Sequence, residues 1–424
     1  MSQANRATRP SPSDRLRVIE AAASLLQSGN LLHRIAEDDR LDGRSITLDG
    51  RRLVNFGSCS YLGLETDTRL KAAACEAVLR YGTQFSSSRT YISAPLYREF
   101  QEVVSAMVGG LPVVIAPTTS LGHLAALPVL VNERDAVLYD VNVHNSVQTL
   151  LPTLQQDGIH CEPVSHNRLD RMEERAHELA RQHERIFYLC DGVYSMQGDT
   201  VDATQLFGVL NRNPKLWAYV DDAHGVGWTG RNGAGVVLGK TGIHERMVVT
   251  LGWAKAGASA GAALVFPNAE LARSVASCGS TMIFSGPMQP AQLGASIASA
   301  RIFLSPEVSA LQQDVETRMA LFDAQATREG LSVRALGASP IRFIESGSEE
   351  GAIALASGLQ AAGYFVNAAI CPAVPRGRAG IRMMLTRQQT LEDVRGLVRE
   401  IAVRLHGRPR TPSMRAPSFD RPHA

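Results

Sequence analysis

Lys255 is the only charge in a 20-residue apolar stretch, MVVTLGWAKAGASAGAALVF (Met247–Phe266). Lysine is scarce in this chain: of 43 Lys and Arg residues only Lys71, Lys215, Lys240 and Lys255 are lysine. Coding bias explains the scarcity but not the placement. An amine among apolar neighbours is poorly solvated, and such an amine forms Schiff bases and shuttles protons. A lysine snorkelling from a strand end leaves the same trace. Other reactive residues follow short apolar runs in the same way. Thr118–Ser120 follow LPVVIA, His144 follows DAVLYD, Asp191–Ser195 follow RIFYLC, and Asp221–His224 follow LWAYV. An aspartate at a strand end caps a helix, holds a metal or pairs with a protonated pyridine nitrogen. His144 and His224 read as ring-stacking and oxygen-binding groups, or as core histidines. Thr118–Ser120 read as a helix start with hydroxyls, which is either a plain cap or a phosphate site. Together, lysine, aspartate, phosphate cradle and stacking ring describe pyridoxal 5′-phosphate binding.

The elements that must position these residues are legible as a pattern. From about 66 to 266, helical segments such as DTRLKAAACEAVLRYG alternate with runs that are apolar throughout. Strands of that kind, separated by helices, predict an α/β fold with a mostly parallel sheet covered on both faces. Ligands of such sheets bind at the carboxyl ends of the strands, which is where the residues above fall. Leu16, Ile19, Ala23 and Leu26 predict an amphipathic helix over 13–36. Residues 287–304 read as a long helix. After it the pattern changes to a helix, short strands (SVRAL, PIRFIE, YFVNA, GIRMML) and a last helix. The expected division is an N-terminal arm and helix (1–50), a large domain (51–304), a smaller α+β domain (305–406) and a disordered Pro/Arg/Ser-rich tail (407–424). The first dozen residues are expected to be disordered as well.

The composition excludes several classes. The 424 residues are 45% hydrophobic and 20% charged, with a net charge of +2. That balance gives no field for nucleic acid or anionic membrane. Six cysteines stand singly without a C-x-x-C pair, and no secretory leader or membrane span is expected. A reducing, cytoplasmic setting without a metal site follows. Gly225–Gly230 (GVGWTG) matches G-x-G-x-x-G, but RNGAG after it cannot open a helix, so no dinucleotide site is expected. AGVVLGKT (234–241) lacks the first glycine of a P-loop. His166, His177 and His183 read as the solvated face of a charged helix.

At these residues the chain resembles the α-oxoamine synthases, pyridoxal-phosphate enzymes of aminotransferase fold type I, from about Val54 to Leu405. NFGSCSYLGL (Asn55–Leu64) resembles N-F-x-x-N-x-Y-L-G-L, and YGTQFSSSR (Tyr81–Arg89) resembles Y-G-x-G-x-x-x-S-R. DVNVHNS resembles D-x-x-N-H-A-S, and DGVYSMQGD (Asp191–Asp199) resembles D-G-V-F-S-M-D-G-D. VDDAHGVGWTGRNGAGV resembles V-D-E-A-H-S-x-G-x-x-G-x-x-G-x-G, and MIFSGPMQP resembles I-F-S-T-x-x-P-P. The resemblance implies a seven-stranded sheet between helices and a homodimer with shared active sites. It implies that Lys255 carries the Schiff base, His144 stacks on the ring, Asp221 pairs with the pyridine nitrogen and His224 meets the phenolic oxygen. Ser195 lies near the cofactor. Thr119 and Ser120 replace the G-[YF] of the phosphate loop. Ser285 and Gly286 reach a phosphate in the partner subunit. Arg382, in GIRMMLT, holds the amino-acid carboxylate. The chain departs from the pattern at Ser60, taken as the position of a substrate-binding Asn, and at Gln388, taken as that of a His. It also has Gly252 in place of a phosphate-binding Thr, with Thr250 as the nearest hydroxyl. The implied activity is a decarboxylating condensation of an amino acid with an acyl thioester, carried on CoA or an acyl-carrier protein, to give an α-aminoketone. Transamination, decarboxylation or aldol cleavage on the same cofactor is one rival. A non-catalytic partner subunit is the other.

Overall fold

A computed structural model of the chain describes residues 12–407. The ends expected to be disordered lie outside them, apart from Pro12 and Gly407. Seven strands form the central sheet. In spatial order they are Val113–Ala116, Ala262–Val265, Met247–Gly252, Leu216–Asp221, Ile186–Asp191, Ala136–Asp140 and His160–Val164. Only Ala262–Val265 runs against its neighbours; the other pairings are parallel. The carboxyl ends of six strands therefore share one rim.

The strands are apolar throughout because both faces are covered. Along them, alternate side chains enter two separate cores. Val113, Ile115, Leu138, Tyr188, Val220 and Val249 pack on one face, against Phe100, Val104, Leu206, Leu293 and Ile297. Val114, Val137, Leu189, Tyr219, Val248 and Leu264 pack on the other, against Leu127, Leu151 and Val275. The period-2 geometry of a strand sends neighbours to opposite faces, and here both faces are dry.

The C-terminal part is a four-stranded antiparallel sheet, Val333–Arg334, Ile341–Glu345, Gly380–Met384 and Asn367–Ala369. It is flanked by helices Glu307–Arg328, Glu349–Ala361 and Leu391–His406. Two expectations shift. The strand Arg51–Asn55, expected to open the large domain, pairs with Ser45–Leu48 and with Tyr364–Phe365 of the C-terminal part. The first helix is Pro12–Ser28 and stops short of residue 36, where Asn30 takes φ 55° and leaves helical geometry. Its seam is also rotated. Ala22, Leu25 and Leu26 pack on Ala352, Ile370 and Ala379, while Leu16 and Ile19 are 60% and 52% exposed.

The glycine-rich stretch after Asp221 is a wrapping for Asp222. That carboxyl is fully buried, and its Oδ2 accepts the Val237 N–H at 3.0 Å. A Cβ on Gly192, Gly225 or Gly235 would run into it, and Gly235 also takes φ +90°. Close approach, not phosphate binding, explains why G-x-G-x-x-G recurs here. Burial pushes the Asp222 carboxyl up to about 7, against the pull of the Val237 and Val236 N–H groups. A carboxyl raised in the folded state binds protons that the unfolded chain has already released. Its contribution is complete below the unfolded value of 3.8 and is lost as pH rises to about 7. Urea unfolding at intervals from pH 5 to 8 should show wild type losing stability relative to Asp222→Asn up to about pH 7, with a constant difference above it. Parallel stability curves would refute this.

Candidate active site

Three strand ends set the centre of the site. Register pairs Asp191 with Asp221 and Asp221 with Thr250, so two carboxylates lie side by side, 2% and 5% exposed. Their partners differ. Asp221 Oδ2 bonds His123 Nε2 at 2.9 Å and its Oδ1 accepts the Ala223 N–H at 3.0 Å. Asp191 Oδ1 accepts the His144 N–H at 3.0 Å. Burial works against ionisation of Asp221, but His123, Lys255 and His144 outweigh it and hold that carboxyl below its usual range. Asp191 goes the other way. Burial, then the charge of Asp221, raise it well above its usual range. The pair is one anion and one acid, with the anion on Asp221.

Lys255 sits in the turn after Met247–Gly252. Trp253 anchors that turn: it is fully buried, its Nε1 donates to Ser299 Oγ at 3.1 Å, and it meets Phe100 edge-on at 5.0 Å. The backbone closes with Ala258 N donating to the Lys255 carbonyl at 2.9 Å. His224 is 8% exposed. Its Nδ1 bonds Tyr61 Oη at 2.8 Å, and its carbonyl accepts the Trp228 Nε1–H at 2.6 Å. Burial, then the charges of Lys255, Arg382 and His144, push its imidazole well below 6.5. A neutral ring that takes the phenol proton on Nδ1 keeps its own proton on Nε2 as a donor. Burial also raises the Tyr61 phenol, so it stays protonated.

These groups face a cavity of ≈ 220 Å³ lined by Thr118, Thr119, Ser120, His144, Asp191, Asp221, Ala223, His224 and Lys255, among others. Thr118 caps the helix Thr119–Leu130, its Oγ1 accepting the Leu121 N–H at 3.1 Å. The Thr119 and Ser120 N–H groups open that helix with no intrahelical carbonyl to meet. His144 caps the short helix Asn145–Gln148, with Nδ1 2.7 Å from Ser146 Oγ. Burial lowers its imidazole, although Asp221 pulls the other way.

Several expected residues stand elsewhere. Thr250 is fully buried, and its hydroxyl donates to Tyr219 Oη at 3.1 Å, away from any phosphate. A Cβ at Gly252 would stand 3.1 Å from Thr119 Oγ1 and 2.7 Å from Ala223 Cβ, so the Thr119 hydroxyl fills the space that a threonine at 252 would need. Ser195 is outside the cavity wall, and its carbonyl accepts Arg382 Nε at 2.6 Å. Arg382 Nη2 lies 3.7 Å from Cys59 Sγ. The Ser60 hydroxyl instead donates to Glu65. Laid on Asn55–Leu64 residue by residue, N-F-x-x-N-x-Y-L-G-L puts its second Asn on Cys59, and the structure agrees that Cys59 is the neighbour of Arg382. The same one-residue shift affects Gln388. Its Nε2 bonds Gly63 O at 2.9 Å, whereas Gln389 occupies the buried place and bonds Asn55 O at 2.9 Å. Ser285 Oγ donates to Thr281 O at 2.6 Å, and Gly286 is exposed with open space around it. His166 is not on a solvated helix face: it precedes helix Leu169–Leu179 and bridges Asp140 and Asp199 at 2.9 and 2.7 Å.

Tyr61 and His123 are site residues beyond those the sequence pattern marks. His123 had a readable signal, because it is the only ionisable residue between Thr118 and Asn132, the same kind of isolation that marked Lys255. Tyr61 had none beyond its motif.

A sheet of this order, carrying a lysine, an ionised aspartate and two histidines on its carboxyl rim, defines a pyridoxal-phosphate enzyme of fold type I. The family model for aminotransferases of class I and II matches residues 51–396. The 8-amino-7-oxononanoate synthase of Stutzerimonas stutzeri (strain A1501) is 30% identical over 364 residues, 85% of this chain and 90% of that protein. A putative 8-amino-7-oxononanoate synthase of Parvibaculum lavamentivorans is 30% identical over 393 residues, 90% of this chain and 95% of that protein. The chain belongs to the aminotransferase class I and II family and, within it, to the α-oxoamine synthases. Solved structures share the fold. Serine palmitoyltransferase from Sphingomonas wittichii has a TM-score of 0.85 at 20% identity, covering 94% of this chain and 99% of its own. The 8-amino-7-oxononanoate synthase from Francisella tularensis has a TM-score of 0.70 at 19% identity, covering 82% and 97%.

If Tyr61 orients His224, then Tyr61→Phe should leave the fold intact and weaken pyridoxal phosphate binding about tenfold, the worth of one buried hydrogen bond. Fluorescence titration of the apoprotein reads this; an unchanged Kd would remove Tyr61 from the site.

Proposed function

We infer that this chain catalyses the condensation of an amino acid with an acyl thioester, releasing carbon dioxide and the free thiol and giving an α-aminoketone. The observation that carries this reading is the convergence on one neutral histidine. Lys255, Asp221 and His224 line one cavity, and the charges of Lys255 and Arg382 both reach His224, so an amine and a guanidinium act on one site with the Asp221 anion. The donor set fits pyridoxal 5′-phosphate: an anion for the ring nitrogen, a neutral N–H donor for the phenolic oxygen, and a helix start with hydroxyls for the phosphate.

When bound, that cofactor supplies an aldehyde for amines and a ring that takes up electrons from the substrate Cα. Lys255 Nζ would be the amine that holds the aldehyde, and when free it would take the substrate Cα proton. Asp221 would serve as counter-ion to a protonated ring nitrogen. His144 would cover the ring, and His224 would donate from Nε2 to the phenolic oxygen. Thr119 and Ser120 would receive the phosphate through their N–H and hydroxyl groups. Arg382 is held on one side by Ser195 O and has no ion pair among the described residues, so its fork is open to the amino-acid carboxylate. Cys59 brings a small thiol to that fork. Ser195 acts through its carbonyl, which fixes the angle of Arg382.

The working form is a homodimer. Tyr91 (86% exposed), Ile92 and Phe284 (85%) are large apolar side chains left in water. Their two segments are tied together, because Ser88 Oγ donates to Ile283 O at 2.9 Å. Helix Ser280–Phe284 is tied in turn to the phosphate-side helix, where Thr281 Oγ1 donates to Leu121 O at 2.6 Å. An apolar patch beside the cavity fits a second copy covering it, with Ser285 and Gly286 presented to the partner's site. The absence of a disulfide among the described residues fits a reducing, cytoplasmic setting. Among the described residues no helix is long and apolar enough to cross a membrane.

Lys255→Ala should abolish a visible chromophore that borohydride reduces in wild type, and wild type should release free thiol from acyl-CoA only when the right amino acid is present. Thiol release without an amino acid, or amino transfer without thiol release, would overturn the condensation. Phe284→Glu should move the protein from dimer to monomer mass in light scattering and lower its activity about tenfold or more; a monomeric wild type would sink the dimer.

A further inference from the structure

Behind Asp221, outside the cavity wall, a line of hydrogen bonds runs into the sheet. Thr250 Oγ1 donates to Tyr219 Oη at 3.1 Å. Tyr219 Oη lies 2.7 Å from His123 Nδ1, and His123 Nε2 lies 2.9 Å from Asp221 Oδ2. His123 and Thr250 are fully buried, and Tyr219 is 1% exposed. Each hydroxyl has one proton to give. With the Thr250 proton on Tyr219 Oη, the phenol proton goes to Nδ1, which leaves the imidazole proton on Nε2 for Asp221. Burial keeps the Tyr219 phenol protonated, which this order requires. In that order every donor in the line points toward the carboxylate.

Asp221 needs that support. Its strand neighbour Asp191 is a second buried carboxyl, and two buried carboxyls this close in register compete for one charge unless something fixes which one keeps it. The groups facing Asp221 are His123 and the Ala223 N–H at hydrogen-bond distance, with Lys255, His144 and Asp191 acting through space. Lys255 and His144 are occupied with ligand and substrate during turnover. Among the described residues His123 is the one side-chain donor to Asp221 that stays in place.

We propose that His123 is a positioning residue for catalysis: through the Thr250–Tyr219–His123 line it keeps Asp221, not Asp191, the anion that faces the cofactor ring nitrogen. The idea rests on the cofactor reading given above. Its consequence is electronic rather than steric. Without the His123 donor the shared proton moves onto Asp221, the ring nitrogen loses its counter-ion, and the ring takes up electrons from Cα less well.

The experiment compares wild type, His123→Phe, His123→Gln and Tyr219→Phe as loaded enzymes. The first readout is a pH titration of the Lys255-linked visible absorbance; the second is the split of kcat from the amino-acid KM. His123→Phe keeps the bulk and removes the donor. Its absorbance midpoint should move up by about one pH unit or more, and kcat should fall about tenfold or more with KM within about threefold. His123→Gln keeps an N–H for Asp221 and should stay within about threefold of wild type on both. Tyr219→Phe should move the midpoint in the same direction by less, and it carries the test if His123→Phe does not fold. An unmoved midpoint in His123→Phe, or His123→Gln behaving no better than His123→Phe, would overturn the proposal while leaving the cofactor reading intact. A wild type with no Lys255-dependent absorbance would overturn that reading, and this proposal with it.

Discussion

A single ionised carboxylate, Asp221, taken almost wholly out of water at the end of a central strand, is the constraint the other features serve. A bare carboxylate there would be costly, and in practice it would take up a proton. It stays charged because the sheet delivers donors and positive groups from several elements at once: His123 from one helix, the Ala223 N–H from its own turn, and Lys255 from the next strand's end. The acid beside it, Asp191, is made neutral by the same burial plus the field of Asp221. One site thus holds an anion and an acid of the same residue type, separated by their partners alone.

The sheet makes this arrangement affordable. Its parallel strands end together, so residues far apart in sequence converge on one rim with no loop having to reach for them. Its two dry faces hold the strands rigidly, and side-chain precision follows from that rigidity. Buried anchors finish the work locally: Trp253 fixes the Lys255 turn, Trp228 and Tyr61 fix His224, and the glycine wrapping fixes Asp222 underneath. The C-terminal part brings in the remaining charge, Arg382, through a strand whose register against Ile341–Glu345 sets where the guanidinium emerges.

Much of this was readable from residue order. The apolar runs, the residues after them and the isolation of Lys255 pointed to the rim, and the motifs pointed to the family. What went astray did so for definite physical reasons. Thr250 is two residues before Gly252 and on the same strand face, but two residues deeper in the sheet, where its hydroxyl meets Tyr219 instead of the cavity. Ser60 and Gln388 were one residue off, which in extended or turning backbone means the opposite direction. His166 lies just ahead of a charged helix, where Asp140 at a strand end and Asp199 in a loop enclose it. The N-terminal helix packs through Ala22, Leu25 and Leu26 and not through Leu16 and Ile19, because what covers it comes from residues 352–379.

The sequence by itself determined the class of sheet, the rim on which chemistry gathers and the types of group available there, since these follow from local periodicity and from which residues end each apolar run. Only the tertiary structure decided protonation and orientation: which aspartate is the anion, which nitrogen of His224 keeps its proton, and that Cys59 rather than Ser60 stands beside Arg382. Those outcomes depend on burial and on partners supplied by other elements, and neither exists until the chain is folded.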